Sequence, residues 1–215
     1  MKLKNFVSAL MLLTLTACGT RVGTGLTGSV TLKSEAFNTT GLAALPPMGL
    51  IPAYIQDLAL GMPARFTAPD VTDFKICIRE LKLEKSDGGY ADTDGSGSFE
   101  YKIGLVDVSN GAEKTWMTSA FPVGFTLQRI KVVVHKDESL CGVNYSLKFN
   151  SFQSNSDVEF KFKFEPAIAV ATGSIIKVAL STVVSTLRAA ANASSLNDQN
   201  IKDFIEGVEG TGKED

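Results

Sequence analysis

Apolar and charged side chains take alternate positions along residues 158–165, VEFKFKFE. A period of two is typical of a β-strand with one face in a core and the other in water. Similar alternation occurs in shorter runs at residues 29–33, 74–78, 99–105, 130–134 and 143–149. Strands with one polar face favour antiparallel sheets, whose apolar faces must cover each other. We therefore expect a mainly β fold, an antiparallel β-sandwich of about seven to nine strands with one or two C-terminal helices.

The apolar positions change parity within some of these runs. The series that ends at Ile78 resumes at Leu81, and the series that ends at Leu127 resumes at Ile130. One extra residue in a strand causes such a change, so we expect a β-bulge near Arg79–Glu80. The residues predicted to share one face of the 99–105 strand are Phe99, Tyr101, Ile103 and Leu105.

The pattern changes to a helical period after residue 180. The apolar residues that fit a first helix are Val183, Val184 and Leu187, and those that fit a second are Ile201, Phe204, Ile205 and Val208. We expect these helices to pack on an edge or face of a sheet. Residues 193–215 are then a C-terminal helix followed by a disordered tail from Glu209 to Asp215.

Residues 37–70 interrupt the β domain, which we place at residues 29–192. Five of the seven prolines lie in this segment, and a proline cannot occupy the interior of a central strand. The sequence therefore predicts a proline-rich apolar insertion. One interpretation is a long loop that packs over the core of its own domain. The other is that residues 41–66 form an exposed apolar surface for a protein partner.

The first 17 residues have the layout of a bacterial secretory signal. Lys2 and Lys4 precede an apolar run that is too short to span a bilayer core of roughly 30 Å. The run ends in Leu15-Thr16-Ala17-Cys18, which resembles a lipobox, with small residues before the cut and a thiol that can carry diacylglycerol. We expect removal of residues 1–17, lipidation of Cys18 and a flexible tether at residues 18–28. An ordinary secretory signal with a chance cysteine is the alternative.

The predicted location is the bacterial cell envelope, with the membrane as partner through the lipid on Cys18. Residue 19 is glycine rather than aspartate, and resemblance to Gram-negative lipoproteins then implies the outer membrane, facing the periplasm or the surface. The formal net charge is −2 at pH 7, and removal of Lys2 and Lys4 makes the mature chain more acidic. Because nucleic-acid binding needs a stripe of positive side chains, we expect no nucleic-acid partner.

Two cysteines remain once Cys18 carries lipid. Cys77 lies within a predicted strand and Cys141 lies just before another. An even pair in an oxidising compartment favours a disulfide between them. Two buried free thiols are the alternative.

Three segments carry a family resemblance: residues 72–90 (TDFKICIRELKLEKSDGGY), 103–107 (IGLVD) and 122–132 (PVGFTLQRIKV). They resemble an uncharacterised family of secreted bacterial lipoprotein domains with a transthyretin-like, or carboxypeptidase-regulatory-like, β-sandwich. The likeness extends over residues 72–185. It implies a sandwich of the transthyretin or immunoglobulin type and a surface location, and it transfers no active-site residues.

The segment Asp92–Gly97, DTDGSG, has a pattern suited to calcium. Ca²⁺ takes several oxygen ligands from a tightly turning backbone. Counted from Asp92, oxygen-bearing side chains occupy ligand positions one, three, five and nine of an EF-hand loop. Position twelve, which is a bidentate glutamate in an EF-hand, is Ile103 here. The candidate ligands are Asp92, Asp94, Ser96 and Glu100. A calcium-stabilised loop and a polar glycine-rich turn without metal both fit, and we expect no other cofactor.

Catalysis has little support in the sequence. His135 is the only histidine, and no serine lies in a G-x-S-x-G motif. Trp116 is either a core residue or an exposed platform for a sugar or partner. We therefore predict a non-enzymatic binding or structural module. A carboxylate-based hydrolase on a β-sandwich scaffold is the alternative, because sequence spacing does not reveal carboxylates that meet only in the fold.

Overall fold

The structure is a computed structural model, and it describes residues 27–40, 69–91, 101–192, 196–198 and 200–215. Ten strands and three helices make up this part of the chain. The strands are β1 (Thr27–Ser34), β2 (Phe74–Lys85), β3 (Gly104–Asp107), β4 (Lys114–Pro122), β5 (Phe125–Val134), β6 (Leu147–Phe149), β7 (Phe152–Ser154), β8 (Val158–Val170), β9 (Ile175–Val178) and β10 (Glu209–Glu214). The helices are α1 (Glu138–Cys141), α2 (Ser181–Asn192) and α3 (Ile201–Glu206).

All ten strands belong to one sheet. Their order is β4-β1-β9-β10-β8-β5-β2-β6-β7, and β3 pairs with β2 beside this path. Most neighbours are antiparallel, but β1 pairs with β9, and β8 with β10, in the parallel direction. The prediction of a mainly β fold is confirmed. In place of the expected two antiparallel layers, the described residues form a single mixed sheet curled into a half-barrel.

The curl of the sheet explains this difference. Alternating side chains show that each strand buries one face, but a second sheet or the curvature of the same sheet can cover that face. Here Trp116 of β4 meets Phe162 of β8, with ring centroids 6.4 Å apart, although three strands lie between β4 and β8 in the sheet order. The sheet therefore covers much of its apolar face by bending.

Phenylalanines of β8 lie at the centre of the core. Phe160, Phe162 and Phe164 are at most 1% exposed, as the alternation in this segment predicts. The apolar faces of α2 and α3 join the same cluster, for example through Leu187 and Phe204. Both helical segments thus match the predicted periodicity, and they contribute to one continuous core.

Both changes of parity coincide with irregular strand pairing. The register of β2 against β5 shifts between Ile78 and Glu80, so the predicted bulge at Arg79–Glu80 is confirmed. The register of β5 against β8 shifts between Leu127 and Arg129. An inserted residue lets each strand keep its apolar side chains in the core on both sides of the shift.

The predicted face of the 99–105 strand holds for Tyr101 and Ile103, which are partly buried against the core, and is wrong for Leu105. Strand β3 begins only at Gly104, and it buries Val106 while Leu105 is 37% exposed. Gly104 has a φ of 89°, a conformation that other residues rarely adopt, so the chain turns there. The turn reverses the parity that the sequence pattern suggests.

The C-terminal segment is an ordered strand rather than a disordered tail. Strand β10 pairs in parallel with β8 and antiparallel with β9, which places it inside the sheet. Its sequence, EGTGKE, lacks the apolar alternation of the other strands, because two glycines face the core. The folded unit therefore extends to Glu214, beyond the predicted domain end at residue 192.

The two ends of the predicted insertion at residues 37–70 meet in the fold. The backbone N–H of Val71 donates to the carbonyl oxygen of Thr39, at 2.8 Å. A second backbone hydrogen bond holds the start of this segment, since the N–H of Phe37 donates to the carbonyl oxygen of Gly111 at 2.8 Å. The proposed partner surface at residues 41–66 lies outside the described residues and stays a prediction.

Candidate functional site

Several of the predicted site residues lie outside the described part of the chain. Cys18 precedes it, and the candidate calcium ligands Asp92, Asp94, Ser96 and Glu100 lie between residues 91 and 101. Lipidation and calcium binding therefore stay predictions. Among the residues that are described, no group of three or more His, Cys, Asp or Glu side chains could hold a metal ion.

Cys77 and Cys141 are joined by a disulfide, with their Cα atoms 5.9 Å apart. Cys77 lies in β2, and Cys141 ends the short helix α1. The Asp137 side chain caps this helix by accepting from the N–H of Leu140 at 3.0 Å, and Gly142 closes it with a left-handed φ of 67°. These caps hold Cys141 beside the strand that carries its partner.

His135 forms a pair with a carboxylate that spacing alone does not reveal. Its Nδ1 atom contacts the carboxylate of Asp157, the residue before β8. A histidine and an aspartate are two members of a hydrolytic triad, but the described residues place no serine hydroxyl or free thiol in hydrogen-bond contact with this ring. The pair therefore serves as a surface link between β5 and β8.

Trp116 belongs to the core. Its side chain is 7% exposed and packs edge-on against Phe162. The interpretation of Trp116 as an exposed platform for a sugar is wrong, because the curl of the sheet turns β4 inward at this position.

Two carboxylates converge on Arg129. Its Nε atom donates to Glu209 at 2.6 Å, and its Nη1 atom donates to Glu84 at 2.8 Å. Hydrogen bonds to Glu84 and Glu209 raise the pKa of Arg129 above its ordinary value. Glycoside hydrolysis needs two carboxyl groups that are free to act on a substrate between them, whereas here both carboxylates are engaged by one guanidinium. This cluster is therefore a structural ion network, and it does not favour the hydrolase alternative.

A groove of 280 Å³ opens between the β6–β7 turn and the C-terminal end of α2. We call it the rim groove. Its lining residues are Pro69, Phe149, Asn150, Ser151, Phe152, Ala191 and Leu196. Five of the seven lining residues have apolar side chains and two, Asn150 and Ser151, have polar ones, so the groove presents both apolar and polar surface.

Asn150 makes one wall of the rim groove rigid. This residue has a φ of 53°, and its Oδ1 atom accepts from the N–H and the hydroxyl of Thr72, at 2.8 and 3.0 Å. Its Nδ2 atom donates to the carbonyl oxygen of Asp70 at 2.8 Å. Asparagine tolerates this left-handed conformation better than most residues do. The bonds fix the turn against the chain segment that continues from Pro69.

Arg188 is a buried cation beside the rim groove. It is 2% exposed, and its Nε and Nη2 atoms have no hydrogen-bond partner among the described residues. Burial lowers the pKa of Arg188 below its ordinary value, and the charge of the exposed Asp70 opposes this shift. Ala191, which lines the groove, lies one helical turn further along the same side of α2.

The position of Arg188 in the sequence indicates that it is buried, although the spacing of apolar residues alone does not include it. Arg188 follows Val184 by four residues, so it lies on the side of α2 that carries buried side chains. A charged residue at a core position of a helix is uncommon, and the few that occur are usually paired or functional.

A second depression, of 310 Å³, lies on the polar side of the sheet along β8 and β10. Its charged side chains are already paired, Lys163 with Glu165 and Glu209 with Arg129. The rim groove is the better candidate site, because its lining residues are uncharged and are not engaged in ion pairs.

Comparison of the chain with protein-family models, curated proteins and solved structures found no match. The resemblance to transthyretin-like lipoprotein domains therefore stays a prediction. Within the described residues, no helix is both long enough and apolar enough to cross a membrane.

Proposed function

We propose that this chain is a lipid-anchored protein of the bacterial cell envelope that carries a non-enzymatic binding module. The observation that carries the proposal is the order of features at the N-terminus: two lysines, a short apolar run and Leu15-Thr16-Ala17-Cys18. Lipidation of Cys18 would attach the module to the membrane, since each buried acyl methylene contributes about 0.8 kcal/mol. Gly19 supports transfer to the outer membrane.

The disulfide between Cys77 and Cys141 supports export. Disulfides form and persist in oxidising compartments such as the periplasm and are rare in the cytosol. This support is independent of the N-terminal motif, because it depends on the fold of residues far from Cys18.

The rim groove supports a binding role for the module. The interior of the half-barrel is filled by its own side chains, among them Phe160, Phe162 and Leu187, so a ligand has to bind at the surface. The residues that line the groove carry no titratable side chain, which suits binding better than acid–base catalysis.

Metabolic labelling tests the anchor. Cells that express the full chain are fed an alkyne analogue of palmitate, and the chain is then examined for label and for its N-terminal residue by mass spectrometry. We expect an acylated Cys18 at the mature N-terminus, and loss of label in Cys18→Ala. The matched control Cys77→Ala, which changes a cysteine of the disulfide, should keep the label. A free, unacylated Cys18 or cleavage at another position would contradict the proposal.

A second variant tests the membrane. Gly19→Asp should move the labelled protein from the outer-membrane fraction to the inner-membrane fraction of a Gram-negative host, whereas Gly19→Ser should leave it in place. An unchanged distribution of Gly19→Asp would show that residue 19 does not direct the sorting.

A further inference from the structure

We propose that one end of the sheet lies on the membrane surface, and that the rim groove then faces away from the membrane. This inference rests on the proposed anchor at Cys18. It adds the orientation of the module and the surface that contacts lipid. This end of the sheet contains the start of β1, the turn between β4 and β5, and the turn between β8 and β9. We call it the uncharged end, and its residues are 27–28, 121–127 and 168–174.

Strand pairing brings the three segments of the uncharged end together. Thr27 at the start of β1 pairs with Pro122 at the end of β4. Strand β5 pairs with β8 from its first residue, Phe125. The N–H of Gly173, in the turn after β8, donates to the carbonyl oxygen of Ser29 at 2.7 Å. The first residue of β1 therefore lies beside both turns, although the three segments are far apart in the sequence.

The length of the chain before β1 keeps this end near the membrane. The chain advances nine residues from Cys18 to Thr27, so it spans at most about 30 Å when fully extended. Strand β5 has ten residues and extends about as far again from Phe125 to Val134. A lipid on Cys18 therefore holds the uncharged end within reach of the bilayer, whereas the opposite end of the sheet lies about 30 Å further along β5.

The segments that form this end contain no charge. Residues 22–32, 115–128 and 166–176 include no Asp, Glu, Lys, Arg or His. The opposite end of β5 differs, because residues 135–138, HKDE, follow it directly. Charged groups lose hydration when they are held against a bilayer, which is unfavourable. The uncharged end is therefore the part of the sheet that can contact lipid with the smallest loss of hydration.

Partly exposed apolar side chains favour contact of the uncharged end with lipid. Val123, Phe125 and Ile168 pack against the core but are only partly buried. Ala169, which pairs with Thr126, is exposed. Contact with the interfacial region of the bilayer removes this apolar surface from water.

The charged groups at the border of the uncharged end give it no net positive charge. The ion pairs at this border are Lys85–Asp87, Lys163–Glu165 and Lys177–Asp215. Each of them joins one cation to one anion. The carboxylate of Glu214 accepts from the hydroxyl of Ser174. The contact should therefore form on lipids without net charge, and it should not need the anionic lipids that attract basic segments.

Strand β2 connects the uncharged end to the rim groove. Its last residue, Lys85, pairs with Leu127 at the uncharged end. Its first residue, Phe74, pairs with Phe149, which lines the groove. A strand of twelve residues extends about 35 Å. With the uncharged end on the lipid, the rim groove lies at the far end of β2, where a ligand from the surrounding compartment can reach it.

Fluorescence quenching by lipid tests the contact. The full acylated protein is placed in phosphatidylcholine nanodiscs in which some headgroups carry a nitroxide. Phe125→Trp adds a tryptophan to the uncharged end. Leu105→Trp is the matched control, because Leu105 is 37% exposed and pairs with Cys77, eight residues before the end of β2. The natural chain, with its buried Trp116, gives the background.

We expect the nitroxide to quench at least half of the fluorescence that Phe125→Trp adds and less than a tenth of that from Leu105→Trp. Equal quenching of the two added tryptophans, or quenching of Leu105→Trp alone, would overturn the inference.

Charged and uncharged substitutions separate contact from proximity on a tether. Ala169→Glu/Ala171→Glu adds two carboxylates at exposed positions. In nanodiscs of anionic phosphatidylglycerol it should reduce the quenching of Phe125→Trp at least twofold, because the added charges are repelled. Ala169→Gln/Ala171→Gln has nearly the same size and should leave the quenching unchanged. Both variants should keep the melting temperature of the natural chain. Unchanged quenching in the glutamate variant would show that the tether alone holds this end near the lipid, and would overturn the contact.

The outcomes for the anchor and for the orientation can be told apart. Mass spectrometry measures acylation of Cys18 before the protein enters the nanodiscs, and absence of acylation rejects the anchor together with this inference. Acylated protein in which Phe125→Trp is not quenched by the nitroxide rejects the orientation alone. If that tryptophan is also protected from aqueous acrylamide, a second copy of the protein covers the uncharged end in place of lipid.

Discussion

Gly212 of β10 lies against the ring of Phe164 in β8, so closely that a Cβ atom at Gly212 would stand 2.5 Å from the Cζ atom of that ring. Gly210 lies against Phe162 in the same way, and a Cβ atom at Gly210 would stand 2.8 Å from the Cδ1 atom of that ring. Glycine usually weakens a strand, because it adds backbone entropy and offers no side chain to pack. Here its small size is required, since the rings of β8 occupy the space where a side chain would stand.

Replacement of Gly212 by a residue of higher β-propensity should therefore destabilise the fold, although propensity alone predicts a more stable strand. We expect Gly212→Val to lower the free energy of unfolding by about 1–3 kcal/mol through overpacking against Phe164. Thr211→Val is the matched control, because Thr211 is exposed on the other side of the same strand. Urea denaturation followed by circular dichroism measures both. Equal or greater stability of Gly212→Val would show that Phe164 can move aside at little cost.

Strand β10 also joins the two halves of the sheet. In the strand order it stands between β9, which continues to β1 and β4, and β8, which continues to β5 and β2. We expect a chain that ends at Val208 to lose cooperative unfolding, because β8 and β9 then have no strand between them. The control is a short tag added after Asp215, which is exposed and should be tolerated. A single sharp thermal transition in the truncated chain would contradict this role of β10.

The sequence predicts those features of the fold that depend only on consecutive residues of one strand. Residues 158–164 alternate, and their phenylalanines are buried; the parity change at Arg79 is a bulge. Side-chain period, burial and register are local properties of a strand, so they can be read from consecutive residues.

Apart from the Cys77–Cys141 disulfide, features that depend on two distant segments are not predicted. The glycines of β10 resemble a flexible tail until the rings of Phe162 and Phe164 are placed beside them. The choice between one curled sheet and two stacked sheets depends on strand order, which alternation does not encode. The unpaired state of Arg188 likewise depends on which carboxylates the fold brings near α2.

The disulfide should contribute a large part of the stability. Cys77 and Cys141 are 64 residues apart, and closure of a loop of that length stabilises a fold by about 4 kcal/mol in the chain-entropy model. We expect the double variant Cys77→Ala/Cys141→Ala to lose about this amount, measured by urea denaturation. A reductant should lower the midpoint of the natural chain and leave that of the double variant unchanged. Two alkylatable thiols in the unreduced, denatured protein would show that the bond does not form.

The free energy of unfolding should also fall at acid pH, because Glu113 becomes protonated and loses its ion pairs. Side-chain hydrogen bonds from Lys177 and Lys33, at 2.8 and 2.9 Å, lower the pKa of Glu113 to about 2. In the unfolded chain this carboxyl has an ordinary pKa of 4.5. Because the folded pKa is the lower one, the ion pairs stabilise the fold fully above pH 4.5, and their contribution is lost as the pH falls towards 2.

Glu113→Gln isolates this contribution from other acid effects. The variant should melt at a lower temperature than the natural chain at pH 6, and the difference should shrink between pH 4.5 and pH 2, as Glu113 of the natural chain takes up a proton. Glu206→Gln is the control, because Glu206 is exposed and forms no ion pair with a described residue, so its difference from the natural chain should not change over this range. High salt should reduce the difference for Glu113→Gln at pH 6, since Glu113 is partly exposed and its pairs are screened. A difference that persists unchanged at pH 2 would show that the glutamine disturbs packing between β1 and β9, and that charge pairing is not the cause.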